Sequence, residues 1–244
     1  MPYRLPSAES KARYVRERFD AIARRYDLFN DLITQGQHRA WKRALVRRLG
    51  LAPGDRVLDL CCGTGDIAQR IRARLGREGA VVAADFSRQM LRLAARRLSP
   101  GAPGAAAPAW LACADATRLP FADAAFHAVS IGYGLRNVDD LPGALREIHR
   151  VLKPGGVLAS LDVGKVRAAW LRPWVNAYFF HVVPAIGRLL QPGEEMFAYL
   201  PHSSIDYPHQ DRLKAILAES GFAGVELIEY LGGASVIHLA RKPA

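Results

Sequence analysis

Cysteine is scarce in this chain: Cys61, Cys62 and Cys113 are the only three in 244 residues, and they form no C-x-x-C pair. An odd trio with two adjacent members excludes a disulfide framework and leaves small core-filling side chains as the reading. The seven histidines make no H-x-x-H or H-E-x-x-H cluster, so no metal is expected. Long unbroken apolar runs are missing too. The richest stretch, 168–187, is interrupted by Arg172, Asn176, His181 and two prolines and does not span a bilayer. The first ten residues pair no basic start with an apolar run, so no secretion signal is expected and the protein reads as cytoplasmic. Acidic side chains are outnumbered, 23 against 34 basic, and residues 1–50 hold 12 basic and 5 acidic of these. That imbalance suits an anionic partner, nucleic acid or an anionic membrane surface, although a solvated arginine-rich face requires neither.

Half of the residues are hydrophobic, enough at this length to bury one full core, and alternating strand and helix signals predict a single α/β domain with extensions. An amphipathic helical stretch over 12–36 carries Val15, Phe19, Ile22, Ala23, Tyr26 and Phe29 near helical spacing, and a second helix follows over 37–49. Together they predict a helical cap over 1–50. A cofactor-binding core over 51–163 follows, interrupted by a Pro/Gly/Ala loop at 99–108. Residues 164–208 read as a helical lid insertion. A helix over 210–219, a strand over 225–230, a Gly232-Gly233 turn and a strand over 234–240 fill the last section, 209–244.

Chemistry concentrates in Val57-Leu58-Asp59-Leu60-Cys61-Cys62-Gly63-Thr64-Gly65-Asp66, a buried strand that stops in a glycine turn and opens a helix. Gly63 and Gly65 let a ligand lie against the main chain at the carboxyl end of the strand. Asp85 ends the next apolar run, 20 residues past Gly65, the spacing at which an acid meets a ribose hydroxyl pair. The hexapeptide 63–68 alone also fits dinucleotide enzymes. Asp59, four residues before Gly63, completes D-x-x-x-G-x-G, which resembles the first motif of class I S-adenosyl-L-methionine methyltransferases. A sulfonium cofactor carries an ammonium and a carboxylate but no pyrophosphate, so an acid before the turn and donors at a helix N-terminus suit it. The competing reading of Asp59 is a strand-end acid capping the turn. Asp115 with Ala116 resembles the loop that holds the adenine, and Lys153-Pro154-Gly155-Gly156 the turn feeding the fifth strand. The resemblance implies a Rossmann-like sheet closed by an antiparallel strand pair.

A narrower resemblance rests on Phe19 to Asp31 with His38-Arg39-Ala40-Trp41, on Tyr133-Gly134-Leu135-Arg136-Asn137-Val138, and on Gly232-Gly233 followed by His238. From about residue 13 onward the chain is similar to the ubiquinone/menaquinone biosynthesis C-methyltransferase family. The resemblance implies methylation of a ring carbon of a polyprenylated quinol, demethylmenaquinone first and a ubiquinone-pathway benzoquinol second; another phenolic or lipid acceptor, or a noncatalytic scaffold, is the alternative. It carries cofactor contacts onto Thr64, Asp85, Asp115, Ala116 and Gly132, in addition to Asp59, Gly63 and Gly65. Arg136 would stabilise a phenolate and Asn137 orient it, against a structural ion pair for Arg136. Tyr26 and His38 would face the quinol. Trp170, Trp174, Tyr178 and Phe179 either line an opening for its tail or complete the core as a lid. Departures occur at Gly132, where some relatives carry Ser, at 161–166, where Leu-Asp-Val-Gly-Lys-Val replaces a pattern closer to Glu-Phe-Ser-Lys-Pro, and at Ser204, after the signature 199–203. No Asn-Pro-Pro-Tyr-like tetrad or Pro-Cys nucleophile supports a nucleic-acid substrate. The sequence leaves a peripheral membrane contact and a homodimer open.

Overall fold

The computed structural model of the chain describes residues 8–102, 106–191, 199 and 203–244. Seven strands build one sheet: β1 (Arg56–Leu60), β2 (Ala80–Asp85), β3 (Ala109–Cys113), β4 (Phe126–Gly132), β5 (Leu152–Val163), β6 (Ala223–Tyr230) and β7 (Ser235–Arg241), in the order β3-β2-β1-β4-β5-β7-β6. The first five run parallel; β7 is antiparallel to both β5 and β6. Parallel strands need both faces covered, and the near-continuous apolar runs of β1, β2 and β4 meet that demand. Along β1 the side chains alternate. Val57 joins a layer with Leu45, Ile67, Ile71 and Leu91, while Leu58 and Leu60 join one with Leu145, Ile148 and Leu213 on the opposite face.

The helices that supply these layers are α3 (Gln37–Arg48), α4 (Asp66–Arg72) and α5 (Arg88–Arg97) on one face, with α6 (Leu141–Val151) and α9 (Gln210–Glu219) on the other. Strand order reverses between β1 and β4. Such a switch point opens a crevice outside the carboxyl ends of the strands, and that is where Gly63 and Gly132 lie.

The N-terminal stretch is not one helix. α1 (Ala8–Ile22) and α2 (Tyr26–Thr34) are separated by a 3-10 turn, Ala23–Arg25. Three residues per turn rather than 3.6 re-phase the apolar stripe, so Val15, Phe19 and Ile22 before the turn and Phe29 after it all stay buried, packed with Met90, Val183 and Tyr199. Gln35 and Gly36, both left-handed, end α2, and the Gly36 N–H donates to Asp31 O at 2.9 Å.

In the insertion, α7 (Arg172–Ala177) passes through a π-helical turn, Tyr178–Val182, into α8 (Val183–Leu190). Residues 192–198 and 200–202, which belong to the predicted lid and carry part of the signature at 199–203, lie outside the described residues, as do 103–105 of the predicted loop. The fifth strand begins earlier than its sequence predicts: Leu152 already pairs with Phe126, and the register shifts before Val157 meets Ala128. Pro154 to Gly156 are taken up there, with Gly155 left-handed and its N–H donating to Lys242 O at 3.0 Å.

Helix α5 starts at Ser87, whose wholly buried hydroxyl accepts from Met90 N at 3.0 Å and donates to Asp20 of α1. Replacing Ser87 by Ala removes this cap and the tie to the N-terminal helices, for an expected loss of about 0.5–2 kcal/mol. Urea unfolding of the two proteins measures it, and an unchanged midpoint would show that the cap carries no stability.

Candidate functional site

The glycine turn is built by backbone conformation. Cys61, Gly63 and Gly65 all have positive φ, 54°, 54° and 80°, and Gly65 is the residue from which α4 starts. A Cβ on Gly65 would meet Ala94 at 3.2 Å, whereas one on Gly63 would meet nothing within 4 Å, so Gly63 presents bare main chain to open space. Asp85 fixes the turn from β2: one carboxylate oxygen accepts from Gly63 N at 2.8 Å, the other from Ser87 N at 2.9 Å. Burial pushes its carboxyl up to about 6 against the pull of those two N–H groups. A carboxylate has about four acceptor positions, so acceptor capacity remains for a ribose hydroxyl beyond these main-chain donors.

Gly63, Asp85, Asp115, Ala116 and Gly132 line one cavity of about 160 Å³, roofed by Phe19 and Tyr26 from the N-terminal helices. Asp115 is set by its own loop, one oxygen accepting from the N–H and hydroxyl of Thr117 at 2.8 and 2.7 Å. A Cβ on Gly132 would strike Ile67 Cδ1 at 2.3 Å, so a side chain there requires Ile67 to move. Tyr26, expected on the quinol side, lines this cavity. Bare main chain, an acid with spare acceptor capacity and a second acid on the facing loop fit S-adenosylmethionine, whose ribose would meet Asp85 and whose adenine would meet Asp115 and Ala116.

Three residues of the predicted set lie outside that cavity. Asp59 is fully buried on the side of β1 shared with Val57, accepts from Ser130 Oγ at 2.6 Å, and is pushed by burial up to about 7 against the pull of Ser130 and the Ala68 N–H. It supports the turn from beneath. Thr64 knots three elements: its hydroxyl donates to Asp27 of α2 at 2.8 Å and accepts from Arg97 of α5 at 2.7 Å, while Arg97 also pairs with Asp27 at 2.5 Å. Gly65 serves the packing against α5.

A second, larger cavity of about 980 Å³ opens between α2–α3 and the insertion; His38, Trp41, Arg136, Val163, Trp174 and Phe179 are among its walls. His38 hydrogen-bonds Asp31 through Nε2 at 2.8 Å, and burial lowers its pKa despite that partner. Arg136 pairs with Asp162 at the end of β5, 2.5 Å apart, and both side chains are almost wholly buried. Burial works against the charge, yet Asp162 holds the Arg136 pKa above its ordinary value. Asp162 is the residue that sequence reasoning missed; its signal is the lone acid inside the apolar run of β5. Asn137 is engaged at both ends of its amide, donating to Tyr133 O and accepting from Tyr199 OH, each at 3.2 Å, and it lines the smaller cavity. Of the two predicted tryptophans, Trp174 lines the larger cavity and Trp170 does not. Trp170 precedes α7 in a turn, outside the helical face, and is 75% exposed. His238 is buried, with Nε2 on Gln210 O at 3.0 Å.

Similarity searches agree with this geometry. The sequence profile described as the ubiE/COQ5 methyltransferase family matches residues 7–242. The chain belongs to this family. It is an S-adenosylmethionine-dependent methyltransferase. A demethylmenaquinone methyltransferase of Leptospira interrogans is 45% identical over 99% of this chain and 98% of its own. A ubiquinone/menaquinone biosynthesis C-methyltransferase of Xanthomonas campestris is 42% identical over 98% of this chain and 94% of its own. Among solved structures, a SAM-dependent methyltransferase from Aquifex aeolicus superposes with a TM-score of 0.59 at 18% identity, over 82% of this chain and 88% of that one. The cyclase SpnF superposes with a TM-score of 0.60 at 21% identity, over 84% and 81%. That a cyclase shares the fold shows why the fold alone assigns no activity.

Asp85 titrates near 6 in the fold against an ordinary 3.8, so its acceptor capacity is complete above about pH 7 and is lost as pH falls through 6. S-adenosylmethionine affinity, followed by calorimetry, is expected to weaken from pH 8 to pH 5. Asp85→Asn should bind more weakly by about 1.5–3 kcal/mol and lose most of that pH dependence; an unchanged affinity would remove Asp85 from the cofactor site. The same raised pKa means that, without ligand, the fold loses stability from this group as pH rises from about 4 through 6.

Proposed function

We propose that this chain methylates a ring carbon of a polyprenylated quinol, demethylmenaquinol before a benzoquinol of the ubiquinone pathway. The observation that carries the reading is the large, mostly apolar cavity beside the cofactor cavity, with a single buried guanidinium, Arg136, in its wall. Its size is at the upper end for small-molecule sites, which suits a ring with an apolar tail. The names of the relatives at 45% and 42% identity support the same substrate class and its order.

S-adenosylmethionine supplies an electrophilic sulfonium methyl. The task of the chain is to make a ring carbon electron-rich and hold it in place. Arg136 stays protonated and so does not accept the quinol proton. Fixed by Asp162, its charge favours the quinol oxygen as a phenolate, which raises electron density at the adjacent carbon. Asp162 accepts from the Arg136 side chain, from Arg136 N at 3.3 Å and from Val163 N at 2.8 Å, which leaves it an orienting role. Asn137 holds the turn that presents Arg136.

Peripheral membrane contact belongs to the same proposal. Trp174 at the cavity mouth is 73% exposed, and Leu231 and Ile205, also on its wall, are more than half exposed. Trp170 and the basic Arg172 stand nearby in sequence, while Arg167 is paired with Asp211 and Glu229, so this rim sets exposed apolar anchors beside one basic side chain, which suits the interface of a bilayer. The chain would then work at the inner face of the membrane and take its substrate from the lipid phase. A homodimer could rest on the sheet edge at β3, where Trp110 and Leu111 are exposed and the strand carries no charge.

Expressing the chain in cells that lack their own quinone methyltransferase, and identifying by mass spectrometry which demethylated quinone disappears, tests the assignment directly. Arg136→Lys is expected to keep cofactor affinity and to lose about a hundredfold to a thousandfold in methyl transfer, as when one oxyanion donor is removed. Full activity would exclude Arg136 from the chemistry, and simple unfolding would leave it the structural partner of Asp162. Trp174→Ala and Phe179→Ala should damage turnover of a long-tailed quinol more than of a short-tailed analogue, since tail burial is remote binding energy. Equal losses with a lower melting temperature would assign these side chains to the lid core.

A further inference from the structure

The two cavities share one residue: among the described residues, Tyr133 alone lines both. It follows Gly132 at the end of β4 and has φ of 59°, a left-handed conformation in which a bulky residue rarely sits and which persists only where its surroundings hold it. Three contacts hold it. Its N–H donates to Leu161 O at 2.6 Å, its hydroxyl lies 3.3 Å from Ser235 Oγ on β7, and the Arg136 guanidinium carbon is 5.6 Å from the ring centroid. The ring also packs against the core layer that contains Trp41 and Ile67. It is therefore tethered at its backbone, at its tip and along one face, and has little room to retreat.

Resting on the reading of this chain as a quinol methyltransferase, we infer that the Tyr133 ring sets the size of the group passed from the cofactor cavity to the acceptor cavity, admitting methyl and rejecting larger alkyl groups. In the transfer, the electron pair of the quinol carbon forms the new C–C bond, the pair of the breaking S–C bond stays on sulfur, and the ring proton leaves to solvent. Reacting atoms must come within about 3–3.5 Å, so any group in transit crosses the junction that Tyr133 walls. A held aromatic ring meets each extra carbon as overpacking. Arg136, by contrast, acts on the charge of the acceptor and has no bearing on the width of the junction.

The test compares S-adenosylmethionine with its S-allyl analogue on the wild-type chain, Tyr133→Gly, Tyr133→Asn and Tyr133→Phe. Affinity is measured by calorimetry and alkyl transfer to a reduced demethylated quinol by mass spectrometry. Gly and Asn both accept the left-handed backbone, so these variants remove the ring without adding strain. The wild type should favour methyl over allyl by at least about 10–200-fold, the range for a single misfitting methylene in a hydrophobic pocket. Tyr133→Gly and Tyr133→Asn should lose most of that preference, in binding as well as in transfer, while Tyr133→Phe, which keeps the ring, should retain it. Two results would overturn the inference: a wild type that binds both sulfonium compounds equally well, or folded Gly and Asn variants that keep the wild-type ratio. The binding ratio needs no quinol, so a wild type that methylates none would strike the substrate reading and still leave Tyr133 judged on its own.

Discussion

One carboxylate organises the cofactor end of this molecule. Asp85 is almost fully buried, and its two oxygens are bound by main-chain N–H groups from two separate segments, the glycine turn after β1 and the start of α5. A buried carboxylate is unfavourable unless such donors replace water. Here they do, and in return the turn is held with Gly63 facing outward. The next residues extend the constraint: Ser87 hands it to Asp20 of α1, and Thr64 with Arg97 hands it to Asp27 of α2. The helical cap, the glycine turn and α5 are thus fastened around one point, and the residues that surround a cofactor come from all three.

The acceptor side is organised by a different pair, Arg136 and Asp162, which closes the ends of β4 and β5. A buried ion pair is weak evidence for stability, because desolvation offsets much of the attraction. Its persistence in the wall of an apolar cavity is better explained by function. In the proposed reaction, Asp162 would keep this guanidinium charged, oriented and buried where negative charge would develop on a phenol. The two readings that the sequence offers for Arg136, oxyanion partner and structural ion pair, are therefore compatible: the ion pair is what positions the charge.

What was legible in the sequence is what backbone geometry dictates. Gly63, Gly65 and Asp85 are spaced by the length of one helix and one strand, so residue type and interval sufficed to place them. Gly232-Gly233 and the strands around it were equally plain. Asp59, Thr64 and Asn137 show the limit. Each lies within a motif, but its side chain is turned to a partner 37 to 71 residues away in the chain or, for Asn137, partly to Tyr199, and no local pattern encodes such a pairing. Trp170 is grouped with Trp174 by residue type within the insertion, but it precedes the helix, which begins only at Arg172. The 3-10 break at Ala23–Arg25 was hidden because the apolar stripe continues through it, and the stripe could be followed only once Phe29 had something to pack against.

The two cavities have different roofs. Phe19 and Tyr26 cover one, and α7 with the π-helical turn after it walls the other. Under the proposed function, a water-soluble by-product and a greasy product would occupy separate cavities, one beneath the N-terminal helices and one beside the exposed Trp174. Neither has to wait for the other to clear a shared passage. Turnover could then refill the aqueous side while the lipid side is still occupied.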